Sequence, residues 1–223
     1  MIETSNVFSR TEAESSGEIL SHTMYNLAIG LTLAWGFFVN WLMVRSIPAE
    51  ALLRIHPLLF IVGYMACAFG GVALFTKSDN PLISFIGYNL VVLPFGLVVN
   101  VVVSRYNSAV VLDAIRITGI ATLLMMVLGT MFPRFFQRIV GALTIALIAV
   151  IIVELVEVFI FKMHHGILDW IVAVIFCGYI GYDWGRANRI PKTLDNAIDS
   201  AAALYMDIII LFLRILSILG RRR

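Results

Sequence analysis

The sequence predicts an all-α integral membrane protein, a seven-transmembrane-helix bundle, and three observations carry that prediction. Hydrophobic residues make up 61% of the 223 residues and charged ones 13%, against roughly 45–50% and about 25% in soluble globular domains. Seven predominantly apolar runs follow one another, each of about 20 residues or more and so long enough to cross roughly 30 Å of hydrocarbon as a helix. What is left for loops is too short to hold a soluble domain. A mean hydropathy of +0.95 excludes a secreted or cytosolic enzyme, because a chain of this size could not bury so much apolar surface and still cover itself with polar groups. Lipid tolerates only backbones that satisfy their own hydrogen bonds, helices or closed barrels. Continuous apolar runs without two-residue alternation select helices.

Residues 1–23 carry Glu3, Glu12, Glu14 and Glu18 and no apolar core, so they read as a polar N-terminal tail and not as a signal peptide. Residues 24–223 read as a single transmembrane domain. Its first three spans, about 24–44, 57–76 and 81–103, contain no charge. The fourth, about 108–132, carries Asp113 and Arg116 near its start, and the fifth, about 137–161, carries Glu154 and Glu157 in its second half. The sixth, about 166–184, is bounded by Asp169 and Asp183, and the last, about 198–219, contains Asp207 and Arg214. Breakers sit where loops are expected, at Ser46-Ile-Pro48, Ser78-Asp-Asn-Pro81, Pro133 and Asn188-Arg-Ile-Pro191.

Cys67 and Cys177 lie inside apolar runs and read as small core hydrophobes, not as a disulfide. The net charge of +2, with Lys and Arg scattered singly apart from Arg221–Arg223 and forming no basic face, argues against a nucleic-acid partner. The basic residues outside the spans, with Arg138 at the start of the fifth, divide seven to seven between the two sides, so the positive-inside rule gives no orientation. A final segment that enters and returns without crossing would break the tie; seven full spans is the reading adopted.

Ionisable groups inside spans are the informative residues, since each is costly unless paired or wetted. Asp113 and Arg116, three apart on one helical face, read as an intrahelical pair at the interface. Glu154 and Glu157 also share a face; two like charges there would share a proton or recruit a cation, and both a buried and an interfacial position stay open. His164, His165 and Asp169 are ligand types for a metal, but a polar loop accounts for them, and no resident cofactor is expected. Asp207 lies about nine residues into the last span, too deep for its short side chain to snorkel. It needs a partner or a cavity. Asp183, one loop away, can face it, and two carboxyls in low dielectric would share a proton and titrate in coupled steps. Arg214, seven residues on, and Arg116 are further candidate partners. The plain structural alternative is a buried ion pair that only fixes packing.

The C-terminal third resembles a known family. Tyr179-Ile-Gly-Tyr-Asp-Trp184 is similar to an aromatic sixth-span ending closed by an aspartate. Ala203-Leu-Tyr-Met-Asp-Ile-Ile-Ile-Leu-Phe-Leu213 is similar to a last-span motif built around a second one. Both belong to the transmembrane Bax-inhibitor-motif family, including its bacterial members, and the 24-residue spacing of the two aspartates fits it. The resemblance implies a pH-sensitive calcium leak in a bacterial plasma membrane, with Asp183 and Asp207 as the proton-sensing pair and calcium as the transported ion. It also implies that the pair lies toward the cytoplasmic side. Three departures stand out: Trp184-Gly185 follows Asp183, Ile210 replaces an expected Asn, and span two lacks the arginine that latches the pair in some relatives. As a second function class, the resemblance implies an interaction protein that binds and modulates a membrane-bound AAA protease. An enzyme is not expected: an intramembrane aspartyl protease would want Gly-Xaa-Gly-Asp, whereas the sequence here is Gly181-Tyr-Asp183.

Overall fold

A computed structural model describes residues 18–161 and 166–221. Among them the chain forms eight α-helices and no strand: α1 (His22–Ser46), α2 (Ala49–Leu53), α3 (Pro57–Lys77), α4 (Pro81–Val103), α5 (Ser108–Met131), α6 (Pro133–Val156), α7 (Gly166–Ala187) and α8 (Leu194–Gly220). A single π-helical turn, Glu157–Phe161, extends α6. All seven helices other than α2 are long and apolar enough to cross a membrane, so the protein is a seven-span membrane bundle.

The helix starts follow local chemistry. Asn80 accepts a hydrogen bond from the Leu82 amide with Pro81 at the first helical position, and Asn107 accepts from Val110. Both satisfy amides that have no carbonyl partner at a helix start. Pro133 is not a loop residue. It opens α6 directly after α5, and Phe132 alone (φ −125°, ψ 49°) makes the connection. Helix α8 is one unbroken run of 27 residues, about 40 Å at 1.5 Å per residue, and not a re-entrant hairpin. It begins at Leu194, four residues before the expected start, and so takes Asp195 into the helix.

The chain packs as two compact units, each discontinuous in sequence: residues up to Arg105 with Ala187–Tyr205, and Tyr106–Arg186 with residues from Met206 onward. In the first unit α3 and α4 cross at Gly71 and Gly87. A Cβ on either would meet the other's carbonyl oxygen, at 2.5 and 2.7 Å. Small residues permit this approach, and close van der Waals packing is what holds helices together in lipid, where hydrophobic exclusion is absent. An aromatic group forms around Tyr205, which meets Phe37, Tyr88 and Phe95 with ring centroids 5.6–6.2 Å apart. Its hydroxyl accepts from Asn40 Nδ2 at 2.6 Å, and Tyr88 donates to the Thr32 carbonyl at 2.9 Å. The hydroxyls of Tyr205 and Tyr88 thus both have partners inside the bundle, as buried dipoles favour.

In the second unit α5 and α7 cross on glycines. A Cβ on Gly129 would strike the carbonyl of Gly181, and one on Gly185 would lie 2.9 Å from the carbonyl of Gly129. Gly181 and Gly185 are four apart and form one face of α7. At about 100° per residue, Asp183 projects from the opposite side of the helix. The glycine seam therefore fixes which way Asp183 points.

Candidate functional site

Asp183 on α7 and Asp207 on α8 are both buried, and their carboxyl groups hydrogen-bond to each other. Ionised carboxylates only accept hydrogen bonds, so this contact requires a proton on one of the two. Arg186, one turn beyond Asp183 on α7, places Nη1 3.1 Å from Asp183 Oδ1, with both side chains nearly buried. Oδ2 of Asp207 is buried and receives no hydrogen bond from an N–H or hydroxyl donor. Most buried polar atoms have partners. Counted over these three side chains, one shared proton balances the site at zero; without it the site carries one net negative charge.

A second charged group lies further along α8. Arg214 forms a two-pronged pair with Glu154 of α6, Nη1 to Oε1 at 2.5 Å and Nη2 to Oε2 at 2.9 Å. Its Nη1 also donates to Asp169 Oδ1 of α7 at 3.0 Å. Asp169, which is 1% exposed, is completed by Ser217, whose hydroxyl donates to Oδ2 at 2.8 Å, and by Arg221 at 3.0 Å. Two arginines and two carboxylates balance without any bound proton. Fork-to-fork geometry of this kind combines charge with direction, and it ties α6, α7 and α8 together.

The candidate residues therefore part company. Asp183 and Asp207 meet. Arg214 engages Glu154 and Asp169, not Asp207. Arg116 and Asp113 form an exposed i,i+3 contact at 3.6 Å. Glu154 belongs to the Arg214 group, and Glu157, which is buried, opens the π-helical turn. His164 and His165 lie outside the described residues. Among the described residues no three His, Cys, Asp or Glu side chains converge as a metal site. Arg186, Ser217 and Arg221 were not among the candidates, although spacing could have found them: Arg186 follows Asp183 by three, and Arg221 follows Arg214 by seven.

Comparison with known proteins gives consistent similarities. The family model described as "Inhibitor of apoptosis-promoting Bax1" matches residues 18–223. An uncharacterized protein of Helicobacter pylori is 28% identical over 195 residues, 82% of this chain and 83% of the relative. Bax inhibitor 1 of Schizosaccharomyces pombe is 27% identical over 173 residues, 75% of this chain and 63% of the relative. Protein LIFEGUARD 3 of Arabidopsis thaliana is 30% identical over 145 residues, 61% of this chain and 57% of the relative.

Proposed function

Since the chain belongs to the family of inhibitors of apoptosis-promoting Bax1, a family of membrane proteins, we propose that it is a passive cation leak, with calcium as the ion, whose conducting state is set by protonation of the Asp183–Asp207 pair. The observation that carries this reading is the direct contact of two buried carboxyls from α7 and α8. With one proton shared, the pair and Arg186 are neutral and the two helices are held together. Loss of the proton leaves two carboxylates in contact, which repel each other and attract a cation. Oδ2 of Asp207, which no N–H or hydroxyl donor reaches, is an acceptor available to that cation.

Calcium suits the donors, being a hard cation that takes oxygen ligands, about six to eight in a resident site. Two carboxylates supply too few for a permanent site, which favours passage over storage. Catalysis has no part in this reading. The partners are the bilayer, protons and calcium, and the membrane is the plasma membrane of a bacterium, in keeping with helical spans and the bacterial relatives.

Reconstitution in liposomes loaded with a calcium dye tests the proposal. Flux should rise as pH is raised across about pH 6 to 8, following the coupled loss of one proton. Asp183→Asn and Asp207→Asn should each remove that dependence. Flux in both variants that still follows pH like the wild type refutes the pair as the sensor. Absence of flux, with co-purification of a membrane-bound AAA protease, refutes transport altogether.

A further inference from the structure

At one end of the first unit, α1 and α4 leave the span and the chain turns into α2. A cavity of about 310 Å³ opens there, lined among others by Arg45, Ser46, Glu50, Asn100 and Ser104. Its volume is at the lower end of small-ligand pockets, about 300–1,000 Å³. The back wall is fixed: Asn100 Nδ2 donates to the carbonyls of Met43 and Ile47, both at 2.9 Å, pinning the end of α1 against α4.

Two features set the height and the charge of this cavity. Trp41, one turn before Arg45, is exposed on the span, and the Arg45 guanidinium lies over its ring, 5.7 Å from the centroid. Arg45 lies in the last turn of the spanning helix α1, and tryptophan and arginine beside a span end belong at the headgroup level of a bilayer, so the cavity opens where lipid phosphates lie. Arg45 and Glu50 carry opposite charges and both line it, yet among the described residues neither forms an ion pair with the other or with a third group. Two opposite charges facing one space and left unpaired at these helix ends are complementary to a ligand that carries both signs.

We propose that this cavity binds the headgroup of an ethanolamine phospholipid from the adjoining leaflet. The phosphate pairs with Arg45 and accepts from the hydroxyl of Ser46, and the primary ammonium donates to Glu50; the Ser104 hydroxyl already donates to the Val101 carbonyl at 2.9 Å and only borders the space. The alternatives fit less well. A purely anionic headgroup would place negative charge against Glu50, and a choline headgroup has no N–H to donate to that carboxylate. The site lies apart from the aspartate pair and does not rest on the leak reading.

The test is native mass spectrometry of the full chain, delipidated in detergent and titrated with phosphatidylethanolamine, phosphatidylglycerol and phosphatidylcholine of identical acyl chains. The wild type should retain the ethanolamine lipid best. Arg45→Gln should weaken it about tenfold, the loss of one charge-assisted contact to phosphate. Glu50→Gln should abolish the preference for ethanolamine over glycerol while leaving glycerol-lipid binding intact. Arg116→Gln, an exposed arginine in the other unit, should change nothing. Equal binding of the three lipids, or wild-type binding by Arg45→Gln, overturns the proposal. Free phosphoethanolamine that displaces the lipid at equal concentration overturns the assignment to a lipid and points to a soluble phosphate ester.

Discussion

Gly70 and Gly71 are neighbours on α3, and the same substitution at each should have opposite effects. A Cβ on Gly70 meets nothing within 4 Å, whereas one on Gly71 would lie 2.5 Å from the Gly87 carbonyl oxygen, 2.9 Å from Val91 Cγ2 and 3.0 Å from Leu90 Cβ. Ordinary contact begins near 3.4 Å, so α4 would have to retreat by most of an ångström. The obstructing atom is backbone, which cannot rotate away as a side chain could. Overpacking of this kind costs about 1–3 kcal/mol, and it is offset by the roughly 0.5–1 kcal/mol that alanine gains over glycine in a helix interior. Gly71→Ala should therefore destabilise the protein by about 1–2 kcal/mol, while Gly70→Ala should leave it unchanged or stabilise it by up to about 1 kcal/mol. Reversible denaturant unfolding in mixed micelles, followed by tryptophan fluorescence, measures both. Two variants within about 0.5 kcal/mol of each other would refute the glycine crossing as the contact that sets the α3–α4 distance.

Three further outcomes follow from the second unit. Arg186→Gln removes the cation 3.1 Å from Asp183, so the pair should hold its proton to higher pH and half-maximal flux should move up by about 1–3 pH units; an unshifted liposome flux curve excludes Arg186 from the sensor. Glu154→Gln and Arg214→Gln should be non-additive in unfolding experiments, with a coupling of about 1–3 kcal/mol, because their 2.5 and 2.9 Å contacts are lost together in either variant; additive losses would mean the pair is not formed in the bilayer. Gly185→Ala brings a methyl 2.9 Å from the Gly129 carbonyl and displaces the helix that carries Asp183, so it should alter the pH at which flux changes, whereas Gly119→Ala, with open space around it, should not.

The spans were legible because a membrane helix announces itself by length and continuity of apolar residues, and α4 begins and ends where the sequence places it. Ends governed by capping were legible too, as at Asn80-Pro81. Pro133 was not, because proline marks a break equally well whether a loop follows or a helix starts at once. The start of α8 was obscured by Asp195, a charged residue that lies just before the span expected at about 198–219. It lies inside the helix, buried, and accepts from Ser84 at 2.7 Å, a partner more than a hundred positions away that no local pattern reveals. The aspartate pair was legible from depth and from resemblance. The partner of Arg214 was not: seven residues place it on the face of Asp207, but about 10 Å further along the axis, and its guanidinium reaches sideways to α6 and α7 instead. Helical-face arithmetic assigns direction; it does not assign which neighbouring helix a long side chain meets.

That separation along α8 has a physical consequence for how the second unit handles charge. The group around Arg214 contains two arginines and two carboxylates joined by short contacts, so its charges cancel at any pH where carboxylates are ionised. It can hold α6, α7 and α8 together without responding to protons. The group around Asp207 has two carboxylates and one arginine, and its charges cancel only while one proton is bound. In a low-dielectric setting an uncompensated charge is expensive, so the second group is the one obliged to change when the proton leaves. The two lie on the same continuous helix. Under the proposed leak, a proton-independent clamp at one point along α8 gives the other point something fixed to move against, which is the arrangement a local protonation event needs if it is to separate two helices instead of shifting the whole bundle.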